Sequence, residues 1–122
     1  MNSPVTVLVV DDDVLIAMTC ADMITELGFR ALEANSGSQA LELLNSEARI
    51  DLLVTDFSMP GMDGMELARS AREKVPGLPV IIATGYAELP ADSDLDLRRI
   101  GKPYTQNDLA AAIASSLNIA ID

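Results

Sequence analysis

Several apolar stretches of this chain stop at polar residues that could together handle a phosphoryl group. Val5 to Val10 runs into Asp11-Asp12-Asp13, Ile50 to Thr55 into Asp56, Pro79 to Ala83 into Thr84, and a short run around Ile100 into Lys102. Three carboxylates brought to one place repel one another unless a cation neutralises them. Oxygen-only donors suit Mg²⁺, which keeps several waters and leaves a position for a phosphoryl oxygen. A carboxylate beside such an ion can attack phosphorus and become an aspartyl phosphate. The product carries about −1.5 to −2 of charge and needs partners. Thr84 can offer a hydroxyl, and Lys102 a mobile point charge.

That chemistry requires elements that carry the four groups to one edge. Val5 to Val10 is rich in β-formers without alternation, the pattern of a strand covered on both faces. Residues 14 to 27 have helical spacing and meet Gly28, a natural C′ residue. A strand at Arg30 to Ala34 follows, then a helix capped by Ser36-Gly37-Ser38 and running to about Asn45. Ile50 to Thr55 is a buried strand ending at Asp56. Phe57 to Gly64 contains Pro60, Gly61 and Gly64 and reads as loop. A helix is expected from Met65 to Lys74, a strand from Pro79 to Thr84, a short fifth strand ending at Ile100 to Lys102, and a last helix from Thr105 or Gln106 to Leu117. Alternating strands and helices predict an α/β fold with a five-stranded parallel sheet. Right-handed crossovers and the order 2-1-3-4-5 place a switch point between the first and third strands, and ligands bind outside the carboxyl ends there. Asp11, Asp12 and Asp56 all fall at that point.

Composition narrows the function classes. A chain of 122 residues supports one domain, so residues 1–122 are read as a single unit. With a net charge of −11 and 8 basic residues, it is a poor binder of phosphate backbones, which argues against direct nucleic-acid contact. The single cysteine, Cys20, rules out an internal disulfide or a Cys-rich metal site. The absence of histidine removes Ser-His and Cys-His catalysis, imidazole-bound zinc, and any role as a phosphohistidine carrier. No apolar run approaches the roughly 18 residues of a membrane helix, and the N-terminus lacks a basic start. The expectation is a cytoplasmic protein without membrane insertion.

Val9-Val10-Asp11-Asp12, Asp56 with Met59-Pro60-Gly61-Met62-Asp63-Gly64, Ala83-Thr84-Gly85 and Lys102-Pro103-Tyr104 occur in that order. Together these motifs resemble the receiver domain of bacterial two-component response regulators, over essentially the whole chain. The strand order belongs to the resemblance too, since a family member is a standard example of this doubly wound, flavodoxin-like order. The resemblance implies that Asp56 accepts the phosphoryl group. It implies that Asp12 ligates Mg²⁺ directly, that Asp11 does so mainly through water, and that Ser58 lends its backbone carbonyl. Thr84 and Lys102 would bind the phosphoryl oxygens, and the Lys102-Pro103 bond would be cis. The phosphoryl donor would be a histidine of a partner histidine kinase or phosphotransferase. Such a domain catalyses only its own phosphorylation and slow dephosphorylation, so it is not an enzyme acting on other substrates. No effector follows the last helix, which suits either a stand-alone regulator or the receiver of a hybrid histidine kinase.

The first helix is apolar nearly all round. Ile16, Cys20, Met23, Ile24 and Leu27 form the expected buried stripe, leaving Val14, Leu15, Met18 and Ala21 on the other side. Receivers commonly dock this helix on a helical bundle of the kinase, so Val14, Leu15 and Met18, with Tyr104 nearby, are the expected docking patch. Asp13 is read as a first-turn acid favoured by the helix dipole, and Cys20, Met59 and Met62 as packing residues.

Two features depart from the family pattern. The segment from Thr84 to Lys102 is short, and Glu88 to Asp96 holds Pro90 and three aspartates, which is poor helix material; a shortened or irregular fourth helix is expected. Where receivers place an aromatic residue three positions before the lysine, this chain has Arg99, so Tyr86 is the candidate coupling aromatic. Two rivals share some of these features. A haloacid dehalogenase-type phosphatase would use Asp11-Asp12-Asp13, but it leaves Asp56 and its loop without a role. A pseudo-receiver would bind partners without ever taking phosphate.

Overall fold

The computed structural model describes residues 5–46, 49–85 and 97–119. Within them the chain runs β1 (Thr6–Val10), α1 (Val14–Glu26), β2 (Arg30–Ala34), α2 (Gly37–Ser46), β3 (Leu52–Asp56), α3 (Gly64–Lys74), β4 (Val80–Thr84), β5 (Arg98–Gly101) and α4 (Gln106–Leu117). Tyr86 and the expected irregular helix at Glu88 to Asp96 lie outside the described residues, so α4 here denotes the C-terminal helix.

The five strands form one parallel sheet in the order β2-β1-β3-β4-β5. Every residue of β1 and of β3 is buried, which is why their sequences show no alternation. The pleat nevertheless sorts them between two cores. Val7, Val9, Leu52, Val54, Ile81 and Ala83 pack toward α1 and α4. Leu8, Val10, Leu53, Val80 and Ile82 pack toward α2 and α3. Registers are set by pairing Val10 with Thr55, Asp56 with Ala83 and Thr84 with Gly101, so the carboxyl ends of β1, β3, β4 and β5 finish at one edge.

Helix ends follow local chemistry. Asp13 is the N-cap of α1, its carboxylate accepting from the N–H groups of Leu15 (3.0 Å) and Ile16 (3.3 Å). Asp63 with Glu66 and Thr105 with Asp108 form reciprocal capping boxes on α3 and α4. Gly28 takes φ of +101° just past α1, a conformation a Cβ would disfavour.

The buried stripe of α1 differs from the expected one. Ala17, Cys20, Ala21 and Ile24 are buried, whereas Ile16 is 40% exposed. Ala21 therefore moves to the core side and Ile16 to the outer side. Small residues thus occupy positions 17 and 21 on the buried side of the helix. The bulky Ile16 is turned toward the outer surface.

Candidate functional site

At the carboxyl edge of the sheet, Asp11, Asp12 and Asp56 each offer a carboxylate oxygen, and all three oxygens lie within 4.8 Å of one another. Asp11 and Asp56 are both 5% exposed, while Asp12 faces solvent. The site is thus a buried pair of acids with an open third side. Period-two geometry aims it: Asp56 continues the parity of Leu52 and Val54, and Asp11 that of Val7 and Val9, so both lean toward α1 and α4. Ser58 is exposed two residues beyond Asp56, at the start of the loop.

The ends of β4 and β5 supply the remaining groups. The Phe57 N–H donates to the Ala83 carbonyl (3.0 Å), and the Lys102 N–H to the Thr84 carbonyl (2.9 Å). Thr84 is half-buried at that edge. The Lys102 ammonium forms an ion pair with Asp56 Oδ1, and the Lys102-Pro103 peptide bond is cis. One flexible lysine balances one of three carboxylates, leaving the cluster short of positive charge.

Burial chiefly pushes the Asp11 carboxyl above its ordinary value. Its acceptance of the Asp13 N–H (2.9 Å) and the nearby Lys102 act the other way, while Asp56 and Asp12 add to the rise. The consequence for stability has a definite sign. Below the ordinary carboxylate range, folded and unfolded chains both hold this proton. As pH rises past it the unfolded chain loses its proton first, so stability falls until the folded carboxyl also ionises, and then stays at the lower level. Asp11→Asn keeps the acceptor for the Asp13 N–H and removes the charge. It is therefore expected to raise the Tm of chelator-treated protein at neutral pH and to flatten its pH dependence. A lower Tm for the variant would contradict this account.

The donor set fits a hard divalent cation. All three side chains present oxygen, they converge closely enough to share one ion, and Asp12 keeps the site accessible to water. Beyond them, the strand-end hydroxyl and lysine stand where charge added at Asp56 would need compensation.

Residues 7–114 match the response regulator receiver domain. The chain belongs to that family. Response regulator receiver protein CpdR of Brucella abortus (strain 2308) is 33% identical over 115 residues, covering 91% of this chain and 95% of that protein. Sensor kinase CckA of the same organism is 32% identical over 124 residues, covering 96% of this chain and 13% of the kinase. The crystal structure of a response regulator receiver protein from Sinorhizobium medicae WSM419 superposes with a TM-score of 0.86 at 34% identity, covering 95% of this chain and 96% of that one. The chain spans a fifth or less of the longer curated relatives it matches. Receiver domains are signalling domains of two-component systems that pair with histidine kinases or phosphotransferases, and the family generally binds Mg²⁺ through acidic residues. Its fold is the flavodoxin-like one described above.

Beside the acidic site this receiver domain carries an apolar groove. A cavity of about 570 Å³ lies between α1 and the segment after β5, lined by Leu15, Ile16, Cys20, Met23, Pro103 and Tyr104. Leu15 is 72% exposed, and Val14 and Met18 are exposed on the same helix. At the base of the groove the Cys20 and Tyr104 side chains lie together, and burial pushes both groups' pKa values upward. Ile16, Cys20 and Tyr104 also line a void of about 10 Å³ shared with Asp11 and Asp56, so these three side chains stand between groove and acids. Among the described residues, no helix is long and apolar enough to cross a membrane.

Sequence reasoning missed three features of this receiver. The Cys20–Tyr104 contact joins residues 84 positions apart in the chain. The backbone of Gly64 lies so close to β3 that a Cβ there would come within 2.5 Å of the Asp56 carbonyl oxygen. The Asn35 side chain donates to the Asp11 carbonyl oxygen at 3.1 Å. Each depends on distant segments meeting, and only the Gly64 contact had a local sign, a glycine closing the loop after the acid.

Proposed function

We propose that this chain is a phosphoacceptor receiver of a two-component phosphorelay, taking a phosphoryl group from a partner's phosphohistidine onto Asp56. The observation that carries this reading is the convergence of three carboxylates beside a lysine already paired with the buried one. Asp11, Asp12 and Asp56, with the Ser58 carbonyl, would hold Mg²⁺. Bound there, Mg²⁺ would offset the crowded negative charge and polarise a phosphoryl oxygen.

In this reading an Asp56 carboxylate oxygen attacks phosphorus. The new O–P bond forms as the P–N bond to the donor imidazole breaks, and the electron pair leaves with the imidazole nitrogen. The donor histidine belongs to the partner, since this chain has none. Lys102, freed from neutralising the Asp56 carboxylate, follows the charge to the phosphoryl oxygens, and the Thr84 hydroxyl donates to another. Residues 1–122 form one such domain, working in the cytoplasm through protein contacts and not through nucleic acid. Tyr86 remains the candidate for coupling the Thr84 end of β4 to the surface.

Incubation with Mg²⁺ and acetyl phosphate, followed by intact mass, tests the reading. One phosphate is expected, and none when the metal is chelated. No uptake from either acetyl phosphate or a cognate kinase would leave the domain a pure interaction module.

The groove along α1 is read as the face that meets the partner's helical bundle, with Val14, Leu15 and Met18 exposed on the helix and Tyr104 lining the groove. Leu15→Asp combined with Met18→Asp replaces that apolar surface with charge on exposed positions, so the fold should hold. Phosphotransfer from the cognate kinase is expected to slow by about 10-fold or more, in line with losing a well-packed apolar anchor. Phosphorylation by acetyl phosphate should be unaffected. An unchanged transfer rate from the kinase would remove α1 from the docking face.

A further inference from the structure

We propose that Asn35 is a positioning residue for the acidic site, clamping the peptide plane between Asp11 and Asp12. This inference rests on the reading of those acids as metal ligands. Asn35 follows the last residue of β2, and its Nδ2 donates to the Asp11 carbonyl oxygen at 3.1 Å across 24 positions of sequence. The strand ladder holds the same residue through the preceding peptide, the Asp11 N–H donating to the Ala34 carbonyl at 3.1 Å. Asp11 is thus held on both of its backbone polar groups by two consecutive residues of the β2 end.

The geometry has a direct chemical consequence. A peptide unit is planar, so fixing the direction of the Asp11 carbonyl also fixes the Asp12 N–H and the bond leading to the Asp12 Cα. Asp12 is exposed, and none of the hydrogen bonds described at the site is made by its carboxylate. Its position relative to Asp11 and Asp56 therefore depends on the backbone that carries it. The Asp11 side chain is steadied separately by the Asp13 N–H. Asn35 restrains the backbone hinge that aims the Cα of Asp12, and with it the solvent-side carboxylate, toward the buried pair. Polar groups one shell removed from a metal commonly change its affinity by about 10- to 100-fold when deleted.

Asn35 is itself anchored by a contact that a side-chain substitution leaves in place. Its backbone N–H donates to Gln39 Oε1 at 2.7 Å, next to the Ser36 hydroxyl that accepts the Gln39 N–H at 3.1 Å. This local network gives a control. Asn35→Ala removes the clamp and keeps the turn, whereas Gln39→Ala loosens the turn and keeps the clamp.

Calorimetric titration of the full chain with MgCl₂, paired with the Tm of chelator-treated protein, reads both roles. The expected result is about a 10-fold weaker Mg²⁺ affinity for Asn35→Ala, with Gln39→Ala matching wild type in affinity whatever its Tm. Equal affinity for Asn35→Ala and wild type would overturn the inference alone. Equal weakening by both variants would also overturn it, reducing Asn35 to a support of the β2–α2 turn. Wild type failing to bind Mg²⁺ would overturn the metal-site reading and this inference together.

Discussion

Asp56→Asn is expected to abolish phosphate uptake from acetyl phosphate in the presence of Mg²⁺, leaving the intact mass unchanged under conditions that fully modify wild type. The amide is nearly the same size as the carboxylate, so packing at this buried position is preserved. What disappears is the anionic nucleophile, one of three converging oxygen ligands, and the partner of the Lys102 ammonium. A neutral amide oxygen is a far weaker nucleophile than a carboxylate. Asp11 and Asp12 remain, so the variant asks whether proximity to a metal is sufficient for acceptance. A phosphate that persists on the variant and maps to Asp11 would transfer the chemistry to the first strand and favour the phosphatase-like rival. Its absence, with an unchanged far-ultraviolet spectrum, would place acceptance at β3.

Gly64→Ala is expected to have the largest effect on stability of the single substitutions near the site, although it adds one methyl group. The added Cβ would sit 2.5 Å from the Asp56 carbonyl oxygen and 3.0 Å from the Phe57 Cα. Ordinary carbon contacts lie near 3.5–4.0 Å, and both obstacles are backbone, which cannot rotate aside. Either α3 retreats from the sheet, stretching the Gly64 N–H bond to the Phe57 carbonyl (2.8 Å), or the end of β3 shifts with Asp56 on it. Overpacking of this kind costs about 1–3 kcal/mol. The helix-propensity gain of alanine over glycine, at most about 1 kcal/mol, offsets only part of it. With a net cost of up to about 2 kcal/mol and roughly 4 °C per kcal/mol for a domain of this size, a Tm lowered by as much as about 8 °C is expected, with weaker Mg²⁺ binding because Asp56 moves. Gly37→Ala is the contrast: there the obstruction is the Met62 side chain, with Sδ at 2.7 Å, which can turn away. An unchanged Tm for Gly64→Ala would mean that the α3–β3 approach is slack and that the glycine does not set it.

The fold was legible in the sequence because buried parallel strands leave a local mark. Runs such as Thr6–Val10 and Val80–Thr84 lack the alternation of half-exposed strands, and Gly28, Ser36 and Thr105 mark helix ends, whereas Asp13, read as a first-turn acid, is the N-cap of α1. The acids, the threonine and the lysine were legible for a related reason, since each ends a strand and a parallel sheet gathers its strand ends at one edge. The sequence by itself therefore determined the order of elements and which strand ends carry these polar groups.

Tertiary structure alone decided three other matters. Which side of α1 is buried depends on how the helix is rotated as it packs, and that rotation put Ala21 inside and left Ile16 40% exposed against the simple helical stripe. The direction in which Asp11 and Asp56 lean follows from the pleat and register of β1 and β3, and it puts them against Cys20 and Tyr104. The clamp from Asn35 to Asp11 exists because β2 pairs alongside β1 and brings position 35 to position 11. Residue type and local spacing are written in the chain, but distances between segments far apart in sequence are set by how whole elements pack. That packing fixes which groups touch, and so which of them can hold the acidic site in shape.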